Sequence, residues 1–267
     1  MSLKPTIFTV PCFAGAPWDL SQLSNLSDYE LRTMRLPESA RSVEEVADFI
    51  EIQVRGYDNY VLVGDSFGAV AALAFAVRMP RGLRALALSG GFAKNPITSI
   101  VIKAFAALAP FFAGPFYRGL TLRYHAYALR SVFDGEGEIP WSQARTRDFF
   151  VRETSHRAYV NRAQAVFSAD YLDHLSQVSV PTLILTPEED NLIGSHAAGQ
   201  MLRGIPGARE VILPRTGHMF RFSHPKLYST AIRHFLDDSL TLRPTYGNAD
   251  AQIRTAESSD GFARQAL

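Results

Sequence analysis

The stretch from Asn59 to Met79, NYVLVGDSFGAVAALAFAVRM, constrains the fold of this chain more than any other. It opens with four β-prone apolar residues, Tyr60 to Val63, without polar alternation, as in a strand buried on both faces. An Ala-, Val-, Leu- and Phe-rich run follows that is long enough for a helix and ends before Pro80. Only Gly64 to Gly68, a G-x-S-x-G pentapeptide, separates the two. The stretch therefore predicts a strand that turns sharply into a helix, with Ser66 at the turn.

A turn this sharp strains the backbone of Ser66, lifts its hydroxyl above the sheet and directs the first helical N–H groups toward it. Gly64 and Gly68 remove Cβ atoms that would collide, and Ala69 and Ala72 keep the helix close to the sheet. The pentapeptide alone is a weak signal, because small residues recur by chance. A strand before it and a helix after it favour a nucleophile over a merely structural turn.

This segment resembles the nucleophile elbow of the α/β-hydrolase family. The family places an acid after a later strand, and here the apolar run Pro181–Thr186 is followed by Pro187-Glu188-Glu189-Asp190. Active residues of parallel strands lie at the carboxyl ends, so an acid at this point is well placed. The family pattern selects Asp190, with Pro187 where Gly is usual. Glu188 and Glu189 are interpreted as solvated.

The family's histidine has its counterpart in His218. This residue follows the predicted last strand, Arg209–Leu213, and a glycine, and it precedes a His-Pro pair and a final helix. The chain order Ser66, Asp190, His218 is the family's order for a Ser–Asp–His triad. The resemblance covers roughly residues 5–239 and implies that these three residues are catalytic.

The loop after the first strand, Thr6–Val10, supplies a candidate oxyanion donor. In the family this strand is followed by His-Gly-x, and the backbone N–H of x serves the oxyanion hole. Pro11 and Cys12 stand at the first two positions, so the resemblance assigns the donor role to Phe13, together with Phe67 after the nucleophile. Cys12 is interpreted as a small buried residue rather than a reactive thiol.

The alternation of strands and helices predicts a parallel sheet covered on both faces. Family members commonly begin with two further strands, but only a few residues precede Thr6. We therefore expect an α/β class, trimmed α/β-hydrolase fold with a mostly parallel sheet of about six strands and a helical cap insertion. No convincing strand occurs between Lys94 and Leu175, where the family inserts its cap. The expected organisation is core 1–93, helical cap 94–175, core 176–240 and a polar, mobile C-terminal tail 241–267.

The predicted cap contains an almost wholly apolar run around Pro110 that is too short and too interrupted for a membrane span. It forms either an ordinary buried helix or a lid whose underside lines the substrate pocket, and we favour the lid. A weak membrane-surface role for exposed Phe residues stays open. The candidate pocket residues are Phe105, Leu108, Phe111, Phe112 and Phe116.

Composition excludes several partner classes. A formal net charge of +1 gives no reason to expect nucleic acid or strongly anionic partners. The single cysteine excludes an internal disulfide, and the N-terminus lacks a signal-peptide hydrophobic region, so we expect a cytoplasmic protein. No histidine pair has metal-ligand spacing supported by neighbouring acids, so neither a metal nor a cofactor is expected. Stable membrane insertion is not expected, and the oligomeric state is left open.

The resemblance implies a serine hydrolase that cleaves a carboxylic ester, or a related acyl bond, of a small to medium apolar substrate through an acyl-enzyme. Relatives with the same triad hydrolyse thioesters or carbon–carbon bonds or perform cofactor-free oxygenation. Carbon–carbon hydrolases commonly carry Trp after the catalytic His, where this chain has Met219. The absence of a basic cluster beside the pocket weakens the case for a coenzyme A thioester. A ligand receptor on the same fold, without turnover, is the alternative from another class.

Overall fold

Six strands form one sheet in the computed structural model, which describes residues 4–97, Ala104, Leu108 and 115–241. Their order is β2-β1-β3-β4-β5-β6, and each neighbouring pair is parallel. Strands β1 and β3 are buried at every residue, which accounts for their continuous apolar sequences. The strands are β1 (Thr6–Val10), β2 (Leu31–Thr33), β3 (Tyr60–Asp65), β4 (Leu83–Ser89), β5 (Thr182–Glu189) and β6 (Arg209–Gly217).

Helices connect the strands, and serine caps begin several of them. Ser42, Ser142 and Ser155 each accept a hydrogen bond from the backbone N–H three residues later, at 3.1, 3.2 and 3.1 Å. Short 3₁₀ helices cover Leu20–Leu26, Val132–Gly135 and Leu172–Gln177. The α-helices are α1 (Val43–Gln53), α2 (Phe67–Ala76), α3 (Pro115–Ala128), α4 (Gln143–Glu153), α5 (His156–Ser168), α6 (Ser195–Gly204), α7 (Phe220–Ser223) and α8 (Pro225–Thr241).

The sheet has a hydrophobic core on each face, because alternate residues of its strands point to opposite sides. On one face Leu62 belongs to the cluster that contains Ile50 of α1 and Leu73 of α2. On the other face Val61 belongs to the cluster that contains Ile232 of α8. The predicted α/β architecture, a six-stranded parallel sheet with helices on both faces, is confirmed.

The predicted and observed strands differ most at the sheet edge. The sequence Tyr29–Leu36, YELRTMRL, predicts a strand, but only Leu31–Thr33 forms one, as β2. Beyond it the chain leaves the sheet, because the N–H of Leu36 donates to the carbonyl of Gly15 at 3.0 Å. At the opposite edge the predicted last strand extends to Gly217, so it ends directly before His218.

Helices α3 to α5, between β4 and β5, contact loops at the carboxyl ends of the strands. The ring of Phe13, after β1, packs against His125 of α3, Phe150 of α4 and Tyr159 of α5. The division into core, cap and tail stays a prediction, and residues 242–267 lie outside the described ones. Of the helices described, none is long and apolar enough to cross a bilayer.

Candidate active site

Ser66 occupies the turn between β3 and α2 in a conformation that side chains rarely adopt, with φ 55° and ψ −117°. A non-glycine residue at such a positive φ costs about 1–3 kcal/mol and persists only where its surroundings hold it. Here the N–H of Ser66 donates to the carbonyl of Ser89 at 2.7 Å, and its carbonyl accepts from the N–H of Ala69 at 2.9 Å. The sheet and the helix thus hold the serine from both sides.

The two glycines of the pentapeptide lie where backbones approach too closely for a side chain. A Cβ atom on Gly64 would lie 2.5 Å from the carbonyl oxygen of Gly68. One on Gly68 would lie 2.2 Å from the carbonyl oxygen of Val10 and 2.4 Å from that of Pro11. These neighbours are backbone atoms that cannot move aside, so close approach to β1 and to the helix requires both glycines.

Ser66, His218 and Asp190 form one hydrogen-bonded chain. The Ser66 Oγ lies 2.9 Å from Nε2 of His218, and Nδ1 of the same ring lies 2.7 Å from Oδ2 of Asp190. The other carboxylate oxygen, Oδ1, accepts from the N–H groups of Leu192 and Ile193 at 3.0 and 2.9 Å. The His218 and Asp190 side chains are each 4% exposed, whereas Ser66 is half-buried.

The neighbouring carboxylates, Glu188 and Glu189, bond to groups other than Ser66 and His218. Glu188 is exposed and accepts from the N–H of Arg215 at 2.6 Å. Glu189 accepts from the Ser131 hydroxyl and from the N–H of Val132. It is therefore partly buried against the segment that follows α3, and the expectation that it is solvated was wrong.

Asp190 and His218 shift each other's pKa in opposite directions. Burial disfavours a charged Asp190, but His218 and the two backbone N–H groups outweigh burial and lower the pKa of the carboxyl. Burial also disfavours a charged His218, whereas Asp190 favours it, and the net effect raises the pKa of the imidazole. The carboxylate is thus ionised at neutral pH and stabilises an imidazolium beside Ser66.

The loop after β1 lies next to Phe67, the residue that follows the serine. The N–H of Gly15 donates to the carbonyl of Cys12 at 2.8 Å and closes a tight turn with Phe13 inside it. Within the described ranges, the N–H groups of Phe13 and Phe67 donate to no acceptor. The two rings meet edge to face with centroids 6.1 Å apart, so the residues are neighbours. Burial, followed by the charge of Asp65, raises the pKa of the Cys12 thiol, which keeps it protonated and unreactive.

The model of the Alpha/beta hydrolase family matches residues 7–231, a span that contains Ser66, Asp190 and His218. The chain belongs to the α/β-hydrolase family. The resemblance drawn from the elbow and histidine segments is confirmed at the level of family and fold.

Known α/β-hydrolases resemble the chain at low identity. Proline iminopeptidase from Saccharolobus solfataricus is 24% identical over 210 residues, 71% of this chain and 66% of that protein. A 2-hydroxy-6-oxononadienedioate/2-hydroxy-6-oxononatrienedioate hydrolase from Cupriavidus pinatubonensis is 24% identical over 181 residues, 66% of this chain and 61% of that protein. The chain thus spans about two thirds of the length of these curated relatives. A thermophilic esterase from Thermogutta terrifontis, solved with malate bound, has a TM-score of 0.74 at 20% identity, covering 88% of this chain and 90% of that one.

The predicted pocket residues of this hydrolase are only partly described. Phe105, Phe111 and Phe112 lie outside the described residues, and Phe116 belongs to α3. Leu108 is helical and 47% exposed. Their role in a pocket stays a prediction.

Sequence reasoning missed the residues that surround the Phe13 ring. The ring of His125 lies 5.0 Å from it, that of Tyr159 5.4 Å and that of Phe150 6.5 Å between centroids. Burial, and then the charge of His218, lower the pKa of His125 to about 4, so this imidazole is neutral. Helical periodicity could have indicated that Phe150 is buried, but not which ring it contacts.

A buried ion pair beneath the elbow was also missed. The Nε of Arg221 donates to Oδ2 of Asp65 at 2.7 Å, and the guanidinium lies over the rings of Trp18 and Phe222 at 4.2 and 4.0 Å. This pair joins the residue before Ser66 to α7, directly after the histidine loop. The signal in the sequence is weak: Asp65 and Arg221 are charged residues that stand close to apolar ones in the chain. In the part of the chain described, no group of three or more His, Cys, Asp or Glu side chains is arranged to hold a metal ion.

Proposed function

We propose that this α/β-hydrolase cleaves a carboxylic ester, or a related acyl bond, of a small to medium apolar substrate through an acyl-enzyme on Ser66. One observation carries the proposal: the hydrogen-bonded chain from the Ser66 Oγ through the His218 imidazole to Asp190, at 2.9 and 2.7 Å. A serine hydroxyl is a weak nucleophile at neutral pH, and a base in contact with it supplies the activation that ester chemistry requires.

Acylation begins when the Ser66 oxygen attacks the carbonyl carbon of the ester. Its proton passes to Nε2 of His218, and Asp190 stabilises the resulting imidazolium without becoming protonated. The carbonyl oxygen takes the negative charge and accepts from the N–H groups of Phe13 and Phe67. Each such donor contributes about 3 kcal/mol to transition-state stabilisation.

Acylation ends when this tetrahedral intermediate collapses, His218 gives its proton to the leaving alcohol oxygen and the acyl group stays on Ser66. Deacylation uses the same groups again. The neutral imidazole then takes a proton from water, which attacks the acyl carbon and releases the carboxylic acid. Ser66 recovers its proton from His218, and the enzyme returns to its starting state.

The surroundings of Phe13 support an apolar substrate. Three further rings from α3, α4 and α5 pack around the Phe13 ring, and the one imidazole among them is neutral. We assign residues 94–175 as the cap that carries specificity over a core of 1–93 and 176–240. Cytoplasmic residence belongs to the same proposal and is supported by the lone, buried thiol of Cys12.

Hydrolysis of a carbon–carbon bond or a thioester remains the second reading of the same triad. The Cupriavidus relative is named for a dienedioate substrate, which carries two carboxylates. Arg162, a cation that binds the Phe13 loop, is buried and bonded to backbone carbonyls, so it offers such a substrate no exposed N–H fork. Met219 after His218, where carbon–carbon hydrolases commonly carry Trp, also argues against that reaction. A neutral ester is therefore the better fit.

The test combines active-site labelling with a series of p-nitrophenyl esters from acetate to octanoate. We expect a fluorophosphonate to label the protein once, and Ser66→Ala to lose both labelling and turnover while keeping its fold. Ser168→Ala is the matched control, because among the described residues the Ser168 hydroxyl bonds only to carbonyls of its own helix. Stoichiometric ligand binding without turnover would identify a receptor instead.

The ester series also tests the apolar pocket. Each buried methylene contributes about 0.8 kcal/mol, so kcat/KM should rise a few-fold per carbon until the pocket is full. A flat profile, or a preference for charged acyl groups, would refute the apolar substrate while leaving the serine mechanism intact.

A further inference from the structure

Arg162 is a buried cation that hydrogen-bonds to the loop carrying the Phe13 backbone N–H. It lies on α5 and is 2% exposed. Its Nη1 donates to the carbonyl oxygens of Phe13 and Ala14, both at 2.8 Å, and its Nη2 donates to that of Leu36 at 3.3 Å. One side chain therefore holds both central carbonyls of the turn and ties them to the chain beyond β2.

This guanidinium has no acidic partner among the residues described. The Nε of Arg162 is buried and has no hydrogen-bond partner among those residues. Arg221, which is equally buried, is paired with Asp65. Burial lowers the pKa of Arg162 to about 10, so it stays charged at neutral pH. A buried charge without a counter-ion costs stability, and an apolar side chain would serve packing better.

The turn is shaped around this side chain. Gly15 has φ +75°, and a Cβ atom there would lie 2.3–2.5 Å from the guanidinium atoms of Arg162. The backbone of the loop thus rests directly on the guanidinium. Only a glycine permits both that contact and that backbone conformation.

All four carbonyl groups of the turn are engaged. The Cys12 carbonyl accepts from the N–H of Gly15, and the Gly15 carbonyl accepts from the N–H of Leu36. Arg162 restrains the peptide planes that follow Phe13 and Ala14, and the bond from Gly15 to the Cys12 carbonyl restrains the plane that contains the Phe13 N–H. The Phe13 N–H, which has no acceptor among the described groups, is free to donate to a ligand.

We propose that Arg162 is a positioning residue for the oxyanion loop: it fixes the direction of the Phe13 N–H and holds a positive charge behind it. The inference rests on the proposed function of Ser66 as nucleophile. It also accounts for how the loop keeps its shape with Pro11-Cys12 where the family commonly carries His-Gly. Arg162 touches no reacting atom, and it acts through the backbone of Phe13.

The test compares Arg162→Lys and Arg162→Met with Asn161→Ala. Asn161 is the matched control, because its Nδ2 donates at 2.8 Å to the carbonyl of Glu38, away from the turn. Kinetics with p-nitrophenyl butyrate, the rate of fluorophosphonate labelling and thermal melts are measured for each variant. We expect kcat of the Met variant to fall about 10- to 100-fold with KM little changed, since a misplaced donor weakens transition-state binding alone. Labelling should slow by the same factor, Lys should restore part of it, and Asn161→Ala should keep the parental kcat.

Unchanged kcat in folded Lys and Met variants would overturn the inference while leaving the serine mechanism standing. An equal fall in Asn161→Ala, or failure of both Arg162 variants to fold, would assign Arg162 a structural role only and also overturn it. A parent protein that neither turns over esters nor reacts with the fluorophosphonate would refute the proposed function, and the inference with it.

Discussion

Replacing Asp190 by Asn tests the proposed triad most sharply, because the surroundings dictate how the amide must sit. Oδ1 of Asp190 accepts two backbone N–H groups, from Leu192 and Ile193. In the Asn variant the amide oxygen takes this place, so the NH₂ group faces Nδ1 of His218. An NH₂ donor there requires a lone pair on Nδ1. The ring proton then sits on Nε2, where it prevents the imidazole from accepting the Ser66 proton.

The size of the loss follows from the cost of the opposite orientation. Turning the amide over gives up two hydrogen bonds and sets NH₂ against two N–H donors, which together cost about 3–5 kcal/mol. The productive tautomer is therefore rare, and kcat should fall about 10²- to 10⁴-fold. Raising the pH does not restore activity, because the proton on Nε2 belongs to the neutral ring.

Steady-state ester hydrolysis and circular dichroism check this outcome. Glu188→Gln and Glu189→Gln are the matched controls, since these neighbouring carboxylates bond to the N–H groups of Arg215 and Val132 and not to His218. Both should keep kcat close to the parental value. A folded Asp190→Asn protein with nearly parental kcat, or a larger loss in either Gln variant, would show that the acid has been assigned to the wrong residue.

Three further outcomes are expected. Because Asp190 raises the pKa of His218 and only the neutral ring is a base, kcat/KM should rise with pH through a pKa above the ordinary imidazole value of about 6.5; a limb below it contradicts this. Gly68→Ala should lower the free energy of unfolding by about 2–4 kcal/mol in denaturant titrations, because its Cβ would overlap backbone of the first strand, whereas Gly119→Ala, with nothing within 4 Å, should not. Ser66→Gly should be more stable than Ser66→Ala by roughly 1 kcal/mol and melt at a higher temperature, since glycine adopts a positive φ without strain. Equal melting temperatures would show that the backbone at Ser66 is not strained.

The sequence by itself determined the features that depend on neighbouring residues. The apolar run of Tyr60 to Val63 specifies a buried strand, and Gly64 and Gly68 permit the turn, because both effects act within a few residues. Alternation of strands and helices then requires a parallel sheet, whose carboxyl ends gather the residues that follow each strand. Ser66 and His218 could be predicted as site residues for this reason.

Only the tertiary structure decided between residues that look alike in the chain. Glu188, Glu189 and Asp190 are adjacent carboxylates; the family resemblance favoured Asp190, but only the structure shows that this carboxylate contacts His218 while the other two bond elsewhere. Arg162 lies 149 positions from Phe13 in sequence, yet its fork binds that loop. Periodicity shows that a side chain is buried but carries no information about its partner. That partner is chosen when separate helices and loops pack together, and the packing depends on the whole chain at once.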